Sequence, residues 1–121
     1  MKIKNGDFIS LDKFIEESLY NKEFGYYMKK NPFGSKGDFI TAPGISILFS
    51  EMIAIWVIAF WEKINCPKNF NLIELGAGNG EMMKTLVETF SNFPKFQDAC
   101  TINILEKSKL LKQTQKNTIN N

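Results

Sequence analysis

The stretch Glu74-Leu75-Gly76-Ala77-Gly78-Asn79-Gly80 carries most of the chemistry this sequence can offer. Glycines at alternate positions follow an apolar run and precede a helix-like segment, so they read as a strand-to-helix turn with bare backbone at its apex. Gly76 can take the tight turn off the strand, Gly78 lets a ligand approach the main chain, and Gly80 allows close helix packing. A dinucleotide fingerprint would read GxGxxG, whereas here Glu81 follows Gly80 and Glu74 precedes the turn. A pyrophosphate is served by the positive end of a helix with no carboxylate beside it; a nearby carboxylate suits a ligand with positive charge. S-adenosylmethionine has no phosphate and carries a sulfonium and an ammonium, which makes it the expected cofactor. Glu106 closes the next apolar run, where an acid can accept hydrogen bonds from both hydroxyls of a ribose. Read alone, Glu106 is equally a solvated acid beside Lys107 and Lys109.

These residues need a strand, a helix and a second strand to hold them. Residues 69–75, NFNLIEL, form an apolar run short enough for a buried parallel strand, and a helix is expected from Gly80 to Phe90. After a polar, proline-containing connection, Thr101 to Glu106 reads as a second strand and KSKLLKQTQKN as a helix with a solvated lysine face. Strand, helix, strand, helix in that order implies a right-handed parallel unit. Upstream, Leu11, Phe14, Ile15 and Leu19 recur at helical spacing behind Ser10, a candidate N-cap. Phe24 to Pro43 is rich in aromatic residues, glycine and proline, and is expected to be a long irregular loop. Ile45 to Ile64 is apolar on most faces and is expected to be one buried helix, with Trp56 and Trp61 against the sheet. Tyr26, Tyr27 and Phe39 could stack on adenine, but aromatic residues in a compact loop more often plug a core. The chain divides into an N-terminal helical and loop segment, 1–67, and a partial cofactor-binding unit, 68–121.

Composition narrows the functions. A chain of 121 residues with 44% hydrophobic content suits one small globular unit. Its 15 basic residues are all lysine, scattered among 13 acids, so no basic block points to nucleic acid. Without histidine, and with Cys66 and Cys100 far apart, no metal site is expected; the cysteines read as small buried hydrophobes in a reducing compartment. The lack of histidine also leaves carboxylates, hydroxyls, lysine or a cofactor to do any chemistry. Glu51 interrupts the most apolar stretch, leaving Met52 to Trp61 well short of the roughly 20 residues that span a bilayer, so no membrane span is expected. The N-terminal MKIKNGDFISLDKF shows no apolar run with a cleavage site and no arginine, and a cytoplasmic protein without signal or transit peptide is expected.

Together GYY, GSKGDFITAP, EMIAIW, LIELGAGNG and ILEKSKLLKQTQ resemble, in order, the N-terminal part of the MidA family of class I methyltransferases. That family includes the protein arginine methyltransferase assisting assembly of respiratory complex I. The resemblance covers nearly the whole chain and implies an α/β, truncated Rossmann-like fold: N-terminal helices and loop, then about two parallel strands with helices. It implies S-adenosylmethionine as cofactor and a protein substrate. Gly76, Gly78, Gly80 and Glu106 match the binding motif with Glu74 beside them, and the loop around Asp38, Phe39 and Thr41 is expected near cofactor or substrate. The chain departs from the family at Gly44, where TAPG replaces TAPE, removing a capping-box carboxylate and adding about 1 kcal/mol of helix cost. Ala77 and Asn79 replace proline and arginine. The family runs to several hundred residues, so this chain is expected to be an N-terminal fragment, inactive alone and completed by another polypeptide. Two alternatives remain: a non-catalytic docking module or assembly factor, which would bind a partner without the glycine turn, and an NAD-binding half-domain, which Glu81 disfavours.

Overall fold

A computed structural model describes residues 8–120. The first residues of the 1–67 segment, on which part of the leader reading rests, lie outside the described residues. The elements are α1 (Leu11–Tyr20), α2 (Tyr26–Lys29), α3 (Ala42–Ile45), α4 (Ile47–Lys63), β1 (Phe70–Leu75), α5 (Glu81–Phe90), α6 (Pro94–Ala99), β2 (Cys100–Leu105) and α7 (Lys109–Asn120). β1 and β2 pair in parallel, Phe70 opposite Cys100 through Leu75 opposite Leu105, so both strands end at the same edge of the molecule. This is the arrangement that the alternation of apolar runs and helices predicts.

The core lies on one face of this sheet. Along both strands half-buried and exposed residues alternate: Phe70, Leu72, Ile102 and Ile104 pack inward, while Ile73, Leu75 and Leu105 face outward and are exposed. That is the period-2 pattern of a sheet covered on one side. Ala54, Ile58 and Trp61 of α4, Met83, Leu86 and Phe90 of α5, and Phe96 and Ala99 of α6 fill the covered side. Phe96 is the hub, with ring centroids 5.4 Å from Trp61, 5.3 Å from Phe70 and 4.6 Å from Phe90. Trp61 buries its indole against Phe96 and donates Nε1–H to the carbonyl of Pro67 at 3.0 Å.

Several expectations need correction. The single helix expected over 45–64 is α4, Ile47–Lys63; it starts two residues later because Ser46 is extended and Ile45 closes the short α3. α4 is not buried all round: only Ser50, Ala54, Ile58 and Trp61 are buried, at the spacing of a single helical stripe. Trp56 is 63% exposed and stacks on Phe60 at 5.8 Å instead of meeting the sheet. α1 forms as its spacing predicts, but none of its residues is buried. The connection before β2 contains a helix, α6, whose first residue is Pro94; a proline there lacks only an N–H that the first turn leaves unpaired anyway. Cys66 is exposed, so it is not the buried hydrophobe expected, while Cys100 is half-buried. Among the described residues no helix is long and apolar enough to cross a membrane, and no cluster of potential ligands could hold a metal ion.

Candidate functional site

The glycine turn lies where the two strands end. The N–H of Gly76 donates to the carbonyl of Leu105 at 2.9 Å, which continues the sheet by one bond before the chain turns away. Gly76, Gly78 and Gly80 have φ of +69°, +53° and +85°, a region that costs other L-residues about 1–2 kcal/mol. The N–H of Gly80 closes the turn on the carbonyl of Ala77 at 2.7 Å, and α5 begins at Glu81. A Cβ at Gly76 would meet no atom within 4 Å, so this backbone is bare. A Cβ at Gly80 would lie 3.2 Å from the Cα of Gln115. The close packing expected at Gly80 is therefore against α7, at Gln115.

Two carboxylates flank the turn. Glu74, on the inward face of β1, has an Oε2 that is buried and has no hydrogen-bond partner among the described residues. Burial alone pushes its carboxyl above the ordinary glutamate value of 4.5. An orphaned carboxylate oxygen beside a bare backbone is an acceptor without a donor, and an ammonium supplies one. Glu106 follows the last residue of β2. Its Oε1 accepts the N–H of Ser108 at 2.9 Å and its Oε2 accepts Nε2–H of Gln115 at 3.1 Å. The same Nε2 donates to the carbonyl of Gly78 at 3.0 Å. Glu106 is thus a held group, not the freely solvated acid that its neighbouring lysines suggested.

The loop of residues 31–41 crosses over the turn. Asn31 Nδ2–H donates to Oδ1 of Asn79 at 2.6 Å, and three atoms of the Phe33 ring lie 3.7 Å from where a Cβ of Gly78 would stand. Thr41 reaches the cleft. Asp38 does not: its carboxylate accepts the hydroxyl of Tyr26 and pairs with Lys30 at 2.7 Å, and those two partners hold it below the ordinary carboxylate range. The hydroxyl of Tyr26 is pushed up to about 12 by the same contact. Phe39 packs against Tyr26 and Phe33, 6.0 Å from each, so Asp38 and Phe39 brace the loop from outside. At Gly44 the position of the expected glutamate is filled from elsewhere, since Oε2 of Glu81 lies 2.9 Å from where a Cβ would be; Thr41 makes no side-chain cap.

Phe33, Gly76 and Gly78 are shared by two clefts. One, of about 170 Å³, is lined by Thr41, Glu74 and Glu81; the other, of about 160 Å³, by Tyr20, Tyr27 and Glu106. Each is smaller than the roughly 300 Å³ at which ligand pockets usually begin, so a ligand of nucleoside-plus-amino-acid size needs both, and the two share Phe33, Gly76 and Gly78 as lining. Their polar groups suit such a ligand: a carboxylate in need of a cation in the first, and an oriented acceptor with aromatic neighbours in the second. Sequence reasoning missed Asn31, Phe33 and Gln115. For Gln115 a signal was present, since it lies four residues from both Leu111 and Ile119 and so shares their inward stripe.

Comparisons with known proteins identify the family. A family model described as "Putative S-adenosyl-L-methionine-dependent methyltransferase" matches residues 52–121. The chain belongs to this family. It is 39% identical over 103 residues to the mitochondrial protein arginine methyltransferase NDUFAF7 of Xenopus laevis, covering 85% of this chain and 24% of the relative. The human protein of the same name is 34% identical over 120 residues, covering 98% and 27%. A crystal structure of a COG1565 superfamily member from Burkholderia thailandensis, bound to S-adenosyl-homocysteine, superposes with a TM-score of 0.74 at 27% identity, covering 95% of this chain and 30% of that one. The fold is therefore a truncated Rossmann-like methyltransferase fold, and S-adenosylmethionine is the cofactor of the family. The chain spans about a quarter of the length of these curated relatives, 24% and 27%. The expectation of a cytoplasmic protein is overturned, because these curated relatives are mitochondrial. Lack of arginine near the N-terminus was a poor guide, since the whole chain has none.

Proposed function

We propose that this chain forms the cofactor-holding part of an S-adenosylmethionine-dependent protein methyltransferase, with arginine side chains as acceptors, as the names of its relatives suggest. One observation carries the reading: the ends of adjacent parallel strands bring to one bare glycine turn a buried carboxylate oxygen without a partner among the described residues and a second, held carboxylate. Glu74 would accept the ammonium of the methionine moiety, and Glu106 the hydroxyls of the ribose. Gly76 and Gly78 would let the ligand lie against the main chain, Thr41 would border the methionine side, and Phe33, which lines both clefts, would contact both ends. Asp38 and Phe39 would act at one remove, by keeping the loop in place.

When bound, S-adenosylmethionine supplies a methyl group made electrophilic by the sulfonium. The acceptor nitrogen must then be held in line with that methyl at about 3 to 3.5 Å, which requires walls on the open side of the clefts. The reading therefore includes a completing polypeptide that supplies those walls, without which the chain is inactive. The outward face of the sheet favours such an association: Ile73, Leu75 and Leu105 are 57%, 73% and 66% exposed, and the outer edge of each strand has no strand partner among the described residues. The same face would serve a purely docking role, the second reading.

Calorimetric titration tests the choice. S-adenosylmethionine should bind saturably to the folded chain, Glu74→Gln and Glu106→Gln should each weaken it about tenfold or more, and NADH should not bind. A folded chain that ignores S-adenosylmethionine would leave only the docking role.

A further inference from the structure

Gln115 is the most buried polar group near the site after Ser108, with 4% exposure, and with Leu111 it is one of the two buried residues of α7. A buried amide is costly unless its hydrogens are used. Here both are: Nε2 donates to the carbonyl of Gly78 at 3.0 Å and to Oε2 of Glu106 at 3.1 Å. Both partners are pure acceptors, so the NH₂ end must face them and the amide has one orientation. The bonds join two groups that are far apart in sequence and that come from different strand ends, the apex of the glycine turn and the acid after β2.

We infer that Gln115 is a positioning residue that orients the carboxylate of Glu106 to recognise a ribose diol, and that it ties this carboxylate to the turn against which the ligand lies. The inference rests on the reading of the turn as a cofactor cradle. A carboxylate has about four lone-pair sites. Ser108 N–H takes one on Oε1 and Gln115 takes one on Oε2, which fixes the carboxylate plane and leaves each oxygen one site. Two sites on two oxygens at fixed orientation match two adjacent hydroxyls. A single hydroxyl, or a carboxylate free to rotate, gives no such match.

The backbone is arranged to bring Gln115 within reach. Gly80 has no Cβ where one would lie 3.2 Å from the Cα of Gln115. The lack of a side chain at Gly80 thus lets α7 come close enough for one glutamine to bridge both groups. Leu111, 2% exposed, and Ile119 flank Gln115 on the same stripe and pack into the interior. A leucine at 115 would continue that stripe. Packing therefore gives no reason for an amide there, and the two acceptors do.

The test uses the 121-residue chain and two ligands, S-adenosylhomocysteine and its 2′-deoxyribose analogue. Calorimetry on the wild type should show the ribose form binding about tenfold tighter, the value of one hydrogen bond to a charged group. Gln115→Met keeps the length and removes the donors. It should erase most of that preference, to within about threefold, with thermal unfolding still cooperative. A role confined to packing would weaken both ligands equally and leave the preference intact, and that result overturns the inference. If Gln115→Met does not fold, the wild type still decides. The side-chain amide resonances of Gln115 should move with the ribose ligand more than with the deoxyribose one, and equal responses overturn the inference. Wild-type binding without ribose preference overturns it while sparing the cradle; no binding of either ligand by the folded wild type overturns both.

Discussion

Alanine at Gly80 and alanine at Gly76 probe the same backbone region in different surroundings. Both glycines have positive φ, +85° and +69°, so either substitution meets a left-handed penalty of about 1–2 kcal/mol. Alanine also stiffens the unfolded chain, which returns about 0.4–1 kcal/mol. At Gly76 nothing lies within 4 Å of the new methyl, so the net loss should be near 1 kcal/mol. At Gly80 the methyl stands 3.2 Å from the Cα of Gln115, a main-chain atom in the middle of α7. That atom cannot rotate away, so α7 must shift, and overpacking of this kind typically adds about 1–3 kcal/mol. Gly80→Ala should therefore cost about 2–4 kcal/mol in total, a fall in melting temperature of about 10 °C for a domain of this size. Urea and thermal unfolding of the two variants measure the difference directly. For ligand binding the order should reverse in emphasis: the methyl at Gly76 enters both clefts and should weaken S-adenosylmethionine about tenfold or more despite its small effect on stability. Equal destabilisation by the two substitutions would refute the close approach of α7 to the turn, and with it the geometry assigned to Gln115.

Phe96→Ala should remove about 3–5 kcal/mol by opening a cavity among Trp61, Phe70 and Phe90, enough to abolish cooperative unfolding and the near-ultraviolet circular dichroism of the aromatic cluster. Glu74 should make the ligand-free chain less stable as pH rises. Its folded carboxyl titrates above 4.5, so in the window just above that value the folded state holds more protons than the unfolded one and stability declines with pH. In Glu74→Gln that slope should vanish from urea midpoints measured between about pH 4 and 7. The variant should be at least as stable as the wild type at neutral pH while gaining less from S-adenosylmethionine. Ile73→Lys with Leu105→Lys should leave folding unchanged, since both side chains are exposed, and should abolish co-purification with a polypeptide carrying the rest of the methyltransferase fold.

What the sequence reveals here depends on how local the cause is. The glycine turn was legible because positive φ is a demand that each glycine meets by itself, and the strands because a short apolar run needs no distant partner to be recognised. Glu74 and Glu106 were legible through their place at strand ends. α6 was hidden by Pro94, which reads as a breaker but serves as a helix start. The exposure of Trp56 and of most of α4 was hidden for a different reason: apolar residues all round a helix show that it can be covered, and only the assembled chain shows which side is. The contacts of Asp38 were not legible because its partners, Tyr26 and Lys30, are chosen by how the loop folds back. Gln115 depends on α7, Gly78 and Glu106 meeting in space, which no window of sequence contains.

The two-stranded sheet has a consequence for symmetry. Its free edges differ, one belonging to β1 and the other to β2, and both strands run the same way. A second copy that pairs its β1 edge to the β2 edge of the first leaves one free edge of each kind, so the addition repeats without limit. Such a head-to-tail contact closes no ring unless the rotation per copy happens to divide a full turn. A lone chain that self-associates through these unlike edges would therefore grow as a fibre, whereas a different polypeptide laid along the same edges ends the growth. Companion and cap would then be one and the same molecule.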